Sequence, residues 1–89
     1  MSGRYEKINP DVIFTKVEGG SVLLNMKTGI YYGLDEIGTL IFEKIEENKN
    51  IHEIAEFLAN QYNEDKKVII EDVSKFIYLL KSKSLIQGE

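Results

Sequence analysis

The sequence has no cysteine and no tryptophan, and only one proline and one histidine in 89 residues. Without cysteine there is no disulfide, no thiolate metal site and no cysteine nucleophile. That fits a reducing cytoplasm, where we expect the chain to work. A single histidine, His52, leaves a transition-metal site without its usual ligands. It also leaves Ser21, Ser74, Ser82 and Ser84 without a base in any arrangement the sequence implies. The adjacent carboxylates Glu46–Glu47 and Glu71–Asp72 point to different faces of a helix and are poor acid–base pairs. Gly19-Gly20 reads as a turn, and both the Walker and the dinucleotide-binding glycine patterns are missing. No apolar run nears the roughly 18–20 residues of a membrane span, and Met1-Ser2-Gly3-Arg4 opens no signal peptide. We therefore expect no enzyme, no cofactor and no metal.

What remains is a small acidic domain. The net charge is −4, the opposite of the balance a strong nucleic-acid binder shows. Residues 35–64 hold eight acidic groups against two basic ones, so the excess sits on one stretch of the chain. Such faces are ordinarily solvated helix surface. The length suits one domain that folds without staples. Residues 1–10 read as a flexible lead-in ending at Pro10, and residues 11–87 as a single domain.

Asp11 to Val17 reads as a first strand, with Val12 and Phe14 on one face and Ile13 on the other. Glu18-Gly19-Gly20 turns the chain into a second strand, Ser21 to Met26, with strict alternation. Lys27-Thr28-Gly29 then leads into a third, Ile30 to Leu34. A helix follows from Asp35, a good N-cap, to Glu47, with Ile37, Leu40, Ile41 and Ile45 at helical spacing. Gly38 inside it is either a tolerated weakness, at a cost of roughly 1 kcal/mol relative to Ala, or a point of close backbone contact with a neighbouring element. Asn50 and Glu53 form a capping-box start for a second helix, which Asn63 can close in a left-handed conformation. Glu64 to Lys67 reads as a charged loop. The third helix spans Ile69 to Ser82, with Val73, Phe76, Ile77 and Leu80 as its stripe and Ile70 and Tyr78 widening it. Leu85 and Ile86 should tuck onto the core, with the last three residues fraying. The order is βββααα, an α+β fold with helices segregated from an antiparallel sheet.

The third strand, Ile30-Tyr31-Tyr32-Gly33-Leu34, is the informative element. It is the last of its sheet and carries neither charge nor proline, the usual guards of an edge. Either it is kept open for a peptide to pair with, or another part of the chain covers it. Two helices joined by a short turn are also how helix-turn-helix domains are built, so a winged-helix DNA-binding protein is a rival reading. Against it, the third helix offers only Lys75, Lys81 and Lys83, opposed by Glu71 and Asp72, and no Arg, Asn or Gln for base contacts.

The chain resembles the PqqD-like peptide chaperones, also called RiPP recognition elements, over about Val12 to Ile86. The likeness rests on Val22-Leu23-Leu24-Asn25, then Thr28 to Gly38, then Ile41-Phe42-Glu43. It continues through Ile51-His52-Glu53-Ile54 to Asp72-Val73, Phe76-Ile77, Leu80 and Leu85-Ile86. Phe42 stands where many relatives have tryptophan, and Ser84 where glycine is common. The resemblance implies a winged helix-turn-helix domain that binds the leader of a ribosomally made precursor peptide. The leader would add to the third strand by β-augmentation and lie beside the third helix. We expect Tyr31, Tyr32, Val73, Ser74, Ile77, Tyr78 and Lys81 to line that site, with Ile30 mainly supporting the strand and Lys75 and Lys81 meeting leader carboxylates. A stand-alone chain of this size is similar to the recognition proteins of lasso-peptide pathways, whose partner is a leader peptidase. Partners of radical-SAM enzymes are the alternative. We expect a monomer, or a dimer made through the open edge.

Overall fold

The computed structural model describes residues 6–88. The elements are β1 Glu6–Ile8, β2 Val12–Val17, β3 Gly20–Asn25, β4 Ile30–Leu34, α1 Glu36–Glu46, α2 Ile51–Tyr62, α3 Lys66–Ser82 and β5 Ile86–Gly88. Strands β2, β3 and β4 form an antiparallel sheet in that order, and β1 and β5 form a separate two-stranded ribbon. The fold is thus the expected meander followed by three helices, with one strand added before it and one after.

Local chemistry sets each boundary. Between β3 and β4, the Asn25 side-chain oxygen accepts from the backbone of Lys27 at 2.9 Å and of Thr28 at 3.3 Å. Gly29 closes the turn at φ 75°, a conformation that L side chains resist. Asp35 caps α1 by accepting from the Gly38 N–H at 2.7 Å. Asn50 and Glu53 form the reciprocal capping box of α2, and Asn63 ends that helix at φ 53°. Helix α3 starts at Lys66 with Asp65 as its cap, three residues before the expected Ile69. Its first turn is charged and solvated, so no apolar period marks it.

The core lies where the inner face of the sheet meets the helices. Leu23, Phe42, Ile45, Ile54, Leu58, Val73, Leu80 and Leu85 are all buried there. Phe14 from β2 packs on Phe42 with ring centroids 5.0 Å apart. A polar link at this depth is Ser21 to Thr39, hydroxyl to hydroxyl at 2.7 Å, which joins β3 to α1. Gly38 faces Phe76 of α3, and a Cβ there would stand 3.0 Å from the ring. Of the two readings of that glycine, the close contact is the one present.

Two expectations at the ends need correction. The lead-in is not structureless throughout, since Glu6–Ile8 pairs antiparallel with Ile86–Gly88 in the register Ile8 to Ile86. The C-terminal residues through Gly88 are strand as well. Asn9 secures the junction, donating from its side chain to the Ser84 carbonyl at 2.8 Å and from its backbone to Leu85 at 3.1 Å. Each strand is three residues long and its partner lies at the other end of the sequence, so neither shows a local period. The expected lead-in residues 1–5 lie outside the described residues.

Candidate functional site

Strand β4 has β3 on one side and, among the described residues, no strand on the other. Which of its backbone groups are free follows from the ladder. Val17 and Gly20 close a two-residue hairpin, which makes them a hydrogen-bonded pair. Pairs alternate along an antiparallel ladder. Gly20, Val22 and Leu24 of β3 therefore bond to β2, while Ser21, Leu23 and Asn25 bond to β4. Their partners are Leu34, Tyr32 and Ile30. The N–H and C=O groups of Tyr31 and Gly33 consequently point away from the sheet.

Side chains alternate across the same strand. Tyr32 and Leu34 turn inward against the core, and Ile30 shares their face but stays exposed. Tyr31 and Gly33 lie on the outer face, Tyr31 at 67% exposure. The opposite edge, β2, differs in carrying Lys16, whose ammonium lies 2.9 Å from Glu43. Of the two edges of this three-stranded sheet, only β4 is uncharged along its length.

Helix α3 presents two flanks. On one, Asp72, Phe76 and Lys83 lie nearly in line, four and seven residues apart on a 3.6-residue turn. Phe76 abuts Gly38, and the Lys83 ammonium sits 5.6 Å from the centroid of the Tyr32 ring. Val73, Phe76, Ile69 and Asp72 line a cavity of about 300 Å³ with Asp35, Ile37 and Gly38, just past the end of β4. On the other flank, Ser74, Ile77, Tyr78 and Lys81 line a separate cavity of about 410 Å³. Its remaining walls are Glu6, the start of α2 and His52. Lys81 is engaged there by Glu6 at 3.0 Å.

The expected site therefore divides. Ile30, Tyr31 and Tyr32 are on the edge strand, and Val73 is in the cavity beside it. Ser74, Ile77, Tyr78 and Lys81 gather on the far flank of α3, and Lys75 is exposed and lines neither cavity. Phe76, which lines the cavity with Asp35, and Lys83, which lies over the Tyr32 ring, were not among the expected lining residues. A hint lay in their spacing from Asp72, but the helical phase that faces the sheet is settled only by packing. Among the described residues no cluster of three or more His, Asp or Glu could hold a metal. No helix is long and apolar enough to cross a membrane.

The family model for coenzyme PQQ synthesis protein D (PqqD) matches residues 20–86. Two solved structures superpose on the chain. One is TbiB1 in complex with the TbiA(beta) leader peptide, 32% identical, covering 90% of this chain and 93% of that one with a TM-score of 0.85. The other is a lasso peptide synthetase B1 complexed with the leader peptide, 21% identical, covering 91% and 95% at the same TM-score of 0.85. The second likeness bears on fold alone. No curated protein sequence matches the chain.

Proposed function

The chain belongs to the PqqD family, and on that premise we propose that it recognises the leader segment of a ribosomally made precursor peptide. It performs no chemistry itself and delivers the precursor to a leader peptidase or another modifying enzyme. The observation that carries this reading is the free, uncharged β4 edge beside an apolar cavity. The likeness to TbiB1, solved with a leader peptide, supports it.

A leader pairing antiparallel to β4 meets the outward groups of Tyr31 and Gly33. Backbone bonding tolerates many sequences, so discrimination falls to alternate side chains of the peptide. Those on the inner side reach Tyr32, Val73 and Phe76. Antiparallel pairing places the upstream part of the leader at Leu34 and the Asp35–Phe76 cavity. The downstream part, joined to the core peptide, leaves past the Met26–Gly29 turn. Each backbone hydrogen bond contributes about 1 kcal/mol net, while ordering the peptide costs about 2–5 kcal/mol or more. Apolar anchors in the cavity must supply the difference. We put a lasso pathway before a radical-SAM one because a stand-alone chain of this size is similar to the recognition proteins of lasso-peptide pathways.

Titration of a fluorescent leader, from the precursor made alongside this chain, tests the reading. Tyr31→Pro removes an outward donor and abolishes binding, while Lys81→Ala on the far flank leaves it nearly unchanged. Normal leader binding by a Tyr31→Pro variant that circular dichroism shows to be folded refutes the edge-strand model.

A further inference from the structure

We propose that the β4 edge also takes a second copy of this chain, in a symmetric antiparallel pairing centred on Tyr32. The strand is self-complementary about that residue. With Tyr32 opposite its own copy, Tyr31 falls opposite Gly33 of the other chain, and Ile30 opposite Leu34. The two outward-pointing residues, Tyr31 and Gly33, then become a hydrogen-bonded pair on each side of the axis. Every free N–H and C=O of Tyr31 and Gly33 in both copies is satisfied, which is what an unguarded edge otherwise lacks.

The side chains fit the same register. Nothing lies within 4 Å of where a Gly33 Cβ would stand, so the backbone there is open. The Tyr31 ring of the opposite copy falls on the same outer face and covers it, an aromatic over a bare strand glycine. Apart from Thr15 the outer face is otherwise apolar, with Ile13 and Val17 exposed and Val22 and Leu24 half-buried. Tyr31 and Gly33 stand beside Leu24 and Val22 in the ladder, so pairing joins two such faces into one surface.

Charge works against the pairing. Each copy brings a net charge of −4 and a Lys83 ammonium close to Tyr32, and therefore close to the axis. The dimer is accordingly weak and strengthens as salt screens these repulsions. It requires only the free edge, so it stands or falls independently of leader binding. Where both operate they exclude each other, and a bound leader leaves the chain monomeric.

Sedimentation velocity from micromolar to millimolar protein, at low and high salt, reads this directly. The average mass should climb toward twice the monomer with concentration, and further at high salt. Tyr31→Lys, at an exposed position, should abolish the climb by setting charges on the edge. Adding Gly33→Asp to that variant should restore it, since opposite charges then face each other twice across the axis. A chain that stays monomeric at millimolar concentration in high salt overturns the proposal. So does a folded Tyr31→Lys variant that associates like the parent, and a double variant that fails to recover refutes this register.

Discussion

Ser84 holds φ at 58°, a left-handed backbone that costs a non-glycine residue roughly 1 kcal/mol or more. Glycine would hold that conformation, at the junction of α3 and β5, without the strain. Ser84→Gly should raise the melting temperature by about 4–8 °C per kcal/mol recovered in a domain of this size, as thermal circular dichroism will show. Phe76 and Tyr78 give a second residue-scale contrast, since they sit on opposite flanks of one helix. Phe76→Ala should weaken leader binding by roughly tenfold, equivalent to ~1.4 kcal/mol. Tyr78→Ala, at a side chain 75% exposed, should leave it within error. A loss from Tyr78→Ala with none from Phe76→Ala would mean that the leader lies on the other side of α3. The sequence marks both residues as part of one wide apolar stripe. What it withholds is the rotation of that stripe, because Val73, Ile77 and Leu80 decide which way the helix turns only once they are buried.

Among the elements, those with their own capping and turn chemistry were legible. Asp35, Asn50 and Asn63 mark helix ends by side-chain groups acting within three or four residues, and the structure uses each as expected. Removing one such device, Asn50→Ala, should cost about 1 kcal/mol, readable as a lower denaturation midpoint with an unchanged slope. The β1–β5 ribbon had no such local mark. Its stability comes from Ile86, buried at 2% exposure, and from bonds between residues some eighty positions apart. A chain beginning at Asn9 should therefore lose more stability than the short strand β1 alone suggests. Leu85 and Ile86 lose their cover, and urea unfolding should register it.

At the scale of the molecule, the acidic total and the poverty of α3 in base-reading side chains set the expected partner. Anisotropy with duplex DNA at physiological salt should show no sequence-selective binding below micromolar concentration. The fold class was readable because three strand periods were followed by three helical ones. The two flanks of α3 were not, since they exist only after the helices have packed. The ribbon has one more consequence. Glu6 and Gly88 are paired neighbours, so the polypeptide enters and leaves the domain at one place, on a sheet to which β4 does not belong. A permuted chain, its old ends bridged by a short linker and reopened in the Asn48–Lys49 break, should keep the same architecture and the same bare edge. The domain can thus be spliced into a larger polypeptide through a single stalk while the free edge of β4 still faces outward.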